Sequence, residues 1–570
     1  MAVLAVVLLA VAWVGWQVWQ VNRDLNNAAD DAANLQAALV DGDDVAAGEA
    51  LNRLRTASAA AANRTGGTTW GILTHVPKYG DDARGVQLVS DVLRDLSADG
   101  IEPLTETARD LDGLLPSNGQ ISIEALKRLR APVEAGRVAF EAADERLASL
   151  NPSSYDQRLR DKYRELAHRV ADARQILDTA DHALAVMPSM LGDDTPRNYL
   201  LVFQNNAEIR ATGGLPGAVS LVHTEKGAVK LTKQVAANTF GRTPQPVLPL
   251  TPAEMDIYGK ELGTFFVDAN FTPDFERTAD LMRARWEQVH PERLDGVISI
   301  DPVALSYILK ATGPVTVGDV ALTSDNAVDQ LLHQVYLRYQ DPKDQDAWFR
   351  EVARAVFDKV STGAESPQDL IHALAQGSNE HRLYVHSFEP ADQDSLAGTE
   401  VAGELVTDPE APPQVGVYLN DATGAKMSYY LRYDVQVDAT YCKDAVQGLT
   451  GKMRLLSDAP DDAASLPAYI TGAGAYGTEP GSQLVLIRLY GPVGGALSGI
   501  QFNAKPISTE TVDQDGRPVA TVVASLKPHF TVDLTWRMTT GQGQTGNVAV
   551  TTTPSVVAGA ASSSAASACS

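Results

Sequence analysis

The sequence has few cysteines and too few basic residues to balance its acids. Only Cys442 and Cys569 occur among 570 residues, which excludes a disulfide-rich scaffold and a CxxC metal site. The two cysteines either form one bridge outside the cell or remain free. Aspartate and glutamate number 72 against 47 lysines and arginines, giving a formal net charge of −25. This excess of negative charge argues against nucleic acid or an anionic membrane surface as the main partner.

Recognisable catalytic motifs are also missing from the sequence. The ten histidines include no HExxH motif, which argues against a zinc enzyme. The chain has no GxSxG nucleophile motif, no P-loop and no Ser-His-Asp order. Serine hydrolase and nucleoside-triphosphatase functions therefore have little support.

One long apolar run is present, at the N-terminus. It carries no charged side chain before Arg23, and about twenty residues suffice to cross a bilayer as a helix. Trp13, Trp16 and Trp19 lie three apart, as in an interfacial aromatic belt. A cleaved signal peptide is the alternative, but no basic segment precedes the run and no small-residue cleavage site follows it. We expect a single-pass transmembrane anchor at residues 1–21, with the acid-rich bulk of the chain extracytoplasmic.

Changes in composition along the rest of the chain predict an α+β multidomain protein. Leu and Ala recur at helical spacing over residues 22–194, which predicts an antiparallel helical bundle or stalk. Strand-like runs alternate with helices over residues 195–395, which is typical of an α/β sheet domain. Alternating strands separated by Gly, Pro and Asp predict a β-sandwich-like domain at residues 412–555. The Ala- and Ser-rich residues 556–570 are expected to be disordered.

Polar residues are concentrated in one stretch of the α/β domain, residues 204–214. The stretch follows an apolar run that ends at Phe203, where a strand is expected to end and the chain to turn. Its candidate ligand-binding residues are Asn205, Asn206, Glu208, Arg210, Thr212, Gly213 and Gly214. Arg210 is also a candidate catalytic residue, because a guanidinium presents a planar fork to phosphate or carboxylate. The alternative is an internal ion pair of Arg210 with Glu208 or Asp268, since a buried arginine must be paired.

A second polar cluster comprises Asp268, Asn270 and Asp274. Oxygen ligands of this kind suit Mg²⁺ or Ca²⁺, so Asp268 and Asp274 are candidate metal ligands and Asn270 is a candidate ligand-binding residue. Asp268 is also a candidate catalytic residue, as is Arg277 on the helix that follows. The plain alternative for Asp274 is a first-turn acid stabilised by the helix dipole. Asp301, at the end of a later strand, is expected to cap a helix.

Three segments resemble a known family. RNYLLVFQNNAEIRATGG at Arg197–Gly214, DxNxxPDF at Asp268–Phe275 and DGVISIDPVALSYILKATGPV at Asp295–Val315 are similar to domain-of-unknown-function family 4012. The resemblance extends over roughly Asn22 to Val437. It implies a membrane-anchored extracytoplasmic protein of a mainly actinobacterial family, often encoded near exopolysaccharide or cell-envelope genes. It brings no established activity.

The order of elements in the central domain is also similar to that of LytR-CpsA-Psr phosphotransferases. Those enzymes transfer glycans from a polyprenyl pyrophosphate carrier to the cell wall. The resemblance implies that arginines and aspartates hold the pyrophosphate and a magnesium ion, with Arg210 in the place of the strand-end arginine. In that family an Asp-Thr pair follows the arginine, whereas this chain has Ala211-Thr212. The acid that would bring magnesium beside Arg210 is therefore replaced by alanine.

Two functional hypotheses remain. In the first, which the missing acid favours, the protein binds or helps to assemble surface polysaccharide without turning it over. Its ligand is then cell-wall or capsular polysaccharide or a lipid-linked precursor. In the second, the protein is a phosphotransferase acting on a polyprenyl-linked donor with magnesium. The two differ in whether Arg210, Asp268 and Arg277 converge on one cavity wide enough for a lipid tail.

Overall fold

A computed structural model describes residues 2–40, 43–107, 119–361 and 367–569 of the chain. The chain divides into two units, of which the first comprises residues 1–115 and 122–188. The second comprises residues 116–121 and 189–570. The first unit is helical and the second carries the sheets, so an α+β multidomain protein with a helical N-terminal region is confirmed.

The helices of the described residues follow in chain order. They are α1 (Ala2–Val40), α2 (Asp44–Thr65), α3 (Thr68–Leu73), α4 (Gly80–Asp95), α5 (Glu102–Thr107), α6 (Ile123–Ala148), α7 (Gln157–Met190), α8 (Pro252–Tyr258), α9 (Glu261–Thr264), α10 (Phe275–Val289), α11 (Pro302–Thr312), α12 (Ala327–Asp329), α13 (Val335–Arg338), α14 (Pro342–Ser361), α15 (Pro367–Asn379), α16 (Pro390–Leu396) and α17 (Ala468–Thr471). π-Helical turns at Leu96–Ile101 and Gln330–Gln334 join α4 to α5 and α12 to α13.

The strands all belong to the second unit. They are β1 (Arg197–Arg210), β2 (Gly213–Glu225), β3 (Ala228–Ala236), β4 (Gly296–Ile300), β5 (Val315–Val317), β6 (Val320–Leu322), β7 (Leu383–Ser387), β8 (Gln414–Asp421), β9 (Leu431–Lys443), β10 (Val446–Ser457), β11 (Gln483–Tyr490), β12 (Ala496–Phe502), β13 (Lys505–Pro506), β14 (Thr511–Gln514), β15 (Arg517–Leu526), β16 (Thr531–Thr539), β17 (Val548–Thr552) and β18 (Ser562–Ala565).

In the helical unit, α1 and α2 form an antiparallel pair. Ion pairs join Arg53 to Asp31 at 2.9 Å and Arg64 to Asp24 at 2.8 Å, so later residues of α2 face earlier residues of α1. An apolar seam between the two helices includes Leu35, Ala50, Leu51 and Leu54. Burial of this seam, more than intrinsic helix propensity, stabilises the pair.

Among the residues whose side chains the structure describes, no helix combines the length and the apolarity that crossing a membrane requires. The predicted anchor at residues 1–21 falls largely on residues 1–12, whose side chains lie outside that described part. The anchor therefore stays a prediction.

A five-stranded mixed sheet in the order β3-β2-β1-β4-β7 forms the first layer of the second unit. β1 and β4 run parallel, and every other neighbouring pair in this sheet is antiparallel. Leu200 and Val202 of β1 face a core that includes Met282 of α10. Leu201 of β1 faces the opposite side, where Ile308 of α11 packs. Because side chains alternate along a strand, helices cover both faces of this sheet.

Asp274 and Asp301 begin the two helices on opposite faces of the sheet. The Asp274 side chain accepts a hydrogen bond from Arg277 N at 3.3 Å, and Asp301 accepts one from Ala304 N at 2.8 Å. Each is an N-cap, which satisfies a backbone N–H at a helix start. The predicted cap at Asp301 is confirmed, and for Asp274 the structure shows the plain helical role.

Two further sheets share one hydrophobic core. Their strand orders are β13-β12-β16-β10-β9 and β14-β15-β11-β8-β17-β18. Leu419 and Ile487 of the six-stranded sheet meet Leu455, Leu534 and Trp536 of the five-stranded sheet in that core. The inward side chains of β16 alternate with exposed ones, as expected for a sheet with one solvated face.

The sequence predicts disorder over residues 556–570, but part of this segment is bound into the fold. β18 pairs antiparallel with β17, and Cys569 forms a disulfide with Cys442 of β9. Buried Arg382 donates hydrogen bonds to the carbonyls of Ser555 at 2.8 Å and Val557 at 2.7 Å. Small side chains suggest disorder by composition, but backbone pairing and a covalent bridge do not depend on side-chain bulk.

Candidate functional site

The polar stretch at residues 204–214 is the far end of a long β-hairpin. The sequence predicts that the strand ends at Phe203, whereas β1 continues to Arg210 and the chain turns directly after it. The prediction is wrong because buried polar residues in a strand resemble those of a loop. Their partners lie elsewhere in the chain.

A bulge in β1 redirects part of this stretch. Asn205 lies opposite Leu215 of β2, and the next pair is Ile209 opposite Gly214. Residues 206–208 therefore have no counterpart on β2. Bulges of this kind re-aim side chains, and all three of these residues are buried.

Gly213 and Gly214 are required by the hairpin. Gly213 has a φ of 132°, a conformation that L side chains rarely adopt. A Cβ on Gly214 would lie 2.2 Å from the carbonyl carbon of Asn205. The Gly214 N–H donates to Gln204 Oε1 at 2.8 Å, so that group is already occupied. The backbone conformation explains Gly213, and the close approach of the Asn205 backbone explains Gly214.

Asn270 and Thr212 lock the hairpin to the segment before α10. Asn270 Nδ2 donates to Gly214 O at 2.8 Å and to Thr212 Oγ1 at 3.0 Å. Gln204 Nε2 donates to Ser299 Oγ of β4 at 2.6 Å. The structure thus brings three predicted ligand-binding residues together, Thr212, Gly214 and Asn270, and they serve as partners of one another.

Arg210 lies at the centre of a buried ion network. Its Nη2 donates to Glu208 Oε1 at 2.9 Å and to Asp268 Oδ1 at 3.3 Å, and its Nη1 donates to Ile209 O at 3.0 Å. The guanidinium carbon lies 4.9 Å from the centroid of the Phe271 ring. The side chain is closed off from solvent, since Arg210 is only 4% exposed. Of the two sequence interpretations, the structure shows the internal ion pair.

Lys426 supplies a second cation that the sequence did not single out. It lies in the loop after β8, and its Nζ pairs with Glu208 Oε2. Glu208 therefore bridges Arg210 and Lys426 and joins the hairpin to the β-rich part of the unit. The polar loop Asn420–Lys426 is visible in the sequence, but nothing local indicates which element it contacts.

The charges in this network set the pKa values of its members. Burial raises the pKa of Glu208, but the charges of Lys426 and Arg210 outweigh burial and lower it below its ordinary value. Burial lowers the pKa of Lys426, yet the charge of Glu208 leaves it raised. Burial raises the pKa of Asp268 to about 6, since Arg210 opposes the effect only in part. Burial, with the like charge of Glu208, also raises the pKa of Asp421 to about 6.

Asn205 and Asn206 bind two different parts of the fold. Asn205 Nδ2 donates to the hydroxyl of Tyr336, and Asn206 Nδ2 donates to Asp301 Oδ2 at 2.9 Å. Asp301 also accepts from Arg382 Nη1 at 2.9 Å, and both of those side chains are almost fully buried. Asp301 is therefore a counter-ion as well as a helix cap, a role that the sequence pattern did not indicate.

Arg277 and Asp274 do not join the Arg210 network. Arg277 forms a two-point pair with Glu254, from Nε at 2.6 Å and from Nη2 at 3.0 Å. Asp274 caps α10, and burial raises its pKa to about 7. Within the described ranges, no group of three or more His, Cys, Asp or Glu side chains is arranged to hold a metal ion. Of the two predicted metal ligands, Asp268 instead binds Arg210 and Asp274 binds the α10 backbone.

A cavity of 230 Å³ lies beside the hairpin, against α11 and α14. Its lining is mainly apolar and includes Leu201, Phe203, Leu215, Leu305, Phe349 and Val356. Polar groups in the lining include Asn205, Tyr336 and Lys426. They lie together, because Asn205 forms a hydrogen bond with Tyr336 and Lys426 lies near Tyr336. Arg210 is absent from this lining, as are Asp268 and Arg277, all of which belong to the described residues.

Residues 194–336 match the model of the family described as "Protein of unknown function (DUF4012)". No curated protein matches the chain. The matched segment is shorter than the span of roughly Asn22 to Val437 expected from the sequence. It contains the whole β1–β2 hairpin, Asp268, Asp301 and Tyr336. The resemblance to this family is thereby confirmed over residues 194–336.

Proposed function

We propose that this protein is a membrane-anchored, extracytoplasmic component of the cell envelope that binds surface polysaccharide or its lipid-linked precursor during assembly without transferring it. The cavity beside the hairpin carries the proposal. Its apolar lining suits a hydrocarbon chain, and Asn205, Tyr336 and Lys426 provide polar groups for a head group. An amphiphile is the class of ligand that such a lining accommodates.

The size of the cavity limits what part of an amphiphile it takes. Its 230 Å³ lies below the range of about 300–1,000 Å³ typical of pockets for drug-sized ligands. It therefore suits a segment of one hydrocarbon chain, with the remainder outside. Tyr469 both lines the cavity and is 42% exposed, so this residue connects the lining with the surface.

The closed ion network supports binding over transfer. Phosphoryl transfer depends on charged groups aimed at the transferred phosphoryl oxygens. Arg210 is buried and bound to Glu208 and Asp268, and Ala211 stands where the LytR-CpsA-Psr phosphotransferases, which the sequence resembles, have an acid. Arg277 is held by Glu254. Each candidate catalytic group is therefore already paired with an opposite charge of the fold.

The disulfide supports an extracytoplasmic location. Disulfides persist mainly in oxidising environments such as the cell exterior. The Cys442–Cys569 bridge fits the predicted anchor at residues 1–21, which would place the remaining chain on that side of the membrane.

The alternative function is a phosphotransferase that moves a glycan from a polyprenyl pyrophosphate carrier to the cell wall with magnesium. The apolar cavity favours it, because a polyprenyl chain has the same chemistry as the lining. Arg210 would then have to exchange Glu208 and Asp268 for pyrophosphate.

Binding is tested by titrating the full chain with farnesyl phosphate in a calorimeter. We expect saturable binding that Ala353→Trp weakens by at least about tenfold, or about 1.4 kcal/mol, because the new ring fills the cavity. Glu351→Trp, at an exposed position on the same helix, is the matched control and should bind within about twofold of the wild type. Equal affinity in all three proteins, or no binding to any, would overturn the proposal.

Transfer is tested separately with the full chain, magnesium, a farnesyl pyrophosphate-linked saccharide and isolated cell-wall glycan. The binding role predicts that the carrier stays attached to its saccharide. Release of farnesyl phosphate together with labelled wall glycan would establish the phosphotransferase instead.

A further inference from the structure

Tyr469 belongs to the cavity lining and is also exposed at the surface. Its ring lies 5.4 Å from Lys426 Nζ and 5.4 Å from the centroid of the Tyr336 ring, so it joins the polar groups of the lining. A ligand group that leaves the cavity on this side lies against this ring.

A strained loop follows Tyr469 and presents a second tyrosine. In the segment Gly472–Gly477, the non-glycine residues Ala473 and Tyr476 have φ values of 51° and 60°. L residues avoid this left-handed region, and strain of this kind persists where the surrounding structure imposes it, often at ligand sites. Tyr476 is 74% exposed, more than any other large hydrophobic side chain in the described part of the chain. A loop with an unusual backbone conformation therefore carries a largely exposed aromatic ring.

The loop after β8 fixes both tyrosines relative to the cavity. Lys426 N donates to Ile470 O at 2.8 Å. The Tyr476 ring packs at Gly424, where a Cβ would lie 3.6 Å from its Cε2 atom. Asp421 holds this loop through Gly424 N at 2.7 Å, and Lys426 is paired with Glu208. Tyr469 and Tyr476 thus stand on a segment anchored in the buried ion network.

We propose that Tyr469 and Tyr476 form a stacking surface for the first sugar residues of a lipid-linked saccharide whose chain occupies the cavity. The inference rests on the proposed function and names the part of the ligand that lies outside the cavity. Exposed tyrosine rings offer apolar faces with a hydroxyl at the edge, which suits the mixed apolar and hydroxylated surface of a sugar.

The test compares two probes on the full chain, farnesyl phosphate and a farnesyl phosphate that carries two hexoses. The wild type should bind the glycosylated probe more tightly. Tyr476→Ala should weaken that binding by about 3- to 10-fold, the range for loss of one aromatic contact. Its affinity for farnesyl phosphate should stay within about twofold of the wild type, because Tyr476 is outside the cavity lining. Tyr441→Ala, at another exposed tyrosine of the β-rich region, is the matched control and should leave both affinities unchanged.

The outcomes separate this inference from the proposed function. Binding of farnesyl phosphate with no gain from the sugars, or with no loss in Tyr476→Ala, overturns the stacking surface and leaves the cavity proposal standing. Failure of the wild type to bind either probe overturns both. If Tyr476→Ala instead reduces cosedimentation with phospholipid vesicles and leaves the sugar contribution intact, the tyrosines contact a bilayer and the inference is wrong.

Discussion

The side chains of β1 lie in two different surroundings, one closed and one beside a cavity. Leu200 and Val202 enter a closed core, and further along the strand Arg210 is buried in an ion network. Leu201 and Phe203, on the opposite face, line a cavity that reaches the surface. The polar residues that are conspicuous in the sequence bind one another inside the fold, whereas the cavity proposed to bind a ligand is lined mainly by apolar residues that look ordinary in the sequence. Polar density in a sequence therefore indicates where a buried network must be satisfied, which is a different property from exposure to a ligand.

Removing Arg210 breaks the buried ion network and has the largest expected effect on stability. Arg210→Ala leaves Glu208 and Asp268 buried with less positive charge, and we expect the free energy of unfolding to fall by about 3–5 kcal/mol. Denaturant midpoints measure the loss. Arg454→Ala is the control, because its pair with Asp533 is exposed and should contribute less than about 1 kcal/mol. A loss no greater than that of the control would mean that the network contributes nothing to stability.

Tyr336→Phe tests the boundary between the network and the cavity. The substitution keeps the ring in the lining but removes the hydroxyl that accepts from Asn205 Nδ2. We expect the free energy of unfolding to fall by about 1–2 kcal/mol, because the amide loses a buried partner. Affinity for farnesyl phosphate should fall by about 3- to 10-fold, because the hydroxyl is one of the polar groups proposed for the head group. Unchanged affinity would instead mean that the hydroxyl serves only Asn205.

The buried ion network also predicts that the free energy of unfolding depends on pH. The contribution of Asp268 to this dependence can be measured separately. Its pKa is raised to about 6 in the folded protein, above the value in the unfolded chain. The folded state therefore binds this proton more tightly, and the associated stability is full at low pH and lost as pH rises through about 6. As pH falls from 7 to 5, the wild type should gain on the order of 1 kcal/mol relative to Asp268→Asn. Thermal or denaturant unfolding of both proteins at several pH values measures the difference. A difference that does not vary with pH would contradict the raised pKa.

Filling the cavity beside the hairpin has the smallest expected effect on stability. Ala353→Trp places its ring in existing space, so the free energy of unfolding should change by less than about 1 kcal/mol in either direction. Ala279→Trp, in the closed core on the other face of the sheet, is the matched contrast and should lose several times as much through overpacking. Equal losses would mean that the cavity wall is as tightly packed as the core.

The parts of the site that depend on local pattern were predictable from the sequence. Glu208 and Arg210 lie two residues apart, and such residues share a face of a strand, so their ion pair follows once the strand is extended. The cap at Asp301 follows from its position before Pro302 at a strand end. The bulge at residues 206–208 was not predictable, because it is defined by register with β2.

Contacts that are distant in sequence could not be predicted. Lys426 reaches Glu208 across 218 positions, and no local property of either residue indicates the other. The cavity has the same origin, since its lining is drawn from β1, β2, α11, α14 and the loop after β8. Each of these strands and helices has an ordinary apolar pattern by itself. Only their packing leaves space between them.

The parallel pairing of β17 with β8 has a consequence for how the chain folds. The strand that pairs with this edge of β8 follows it by more than a hundred residues in the sequence. The Cys442–Cys569 bridge closes a loop of similar length. Pairings between distant segments form slowly, and an unpaired strand edge can associate with other chains in the meantime. During synthesis, one edge of β8 therefore stays unpaired until β17 has been synthesised. Conditions that delay the last part of the chain should favour aggregation through that edge.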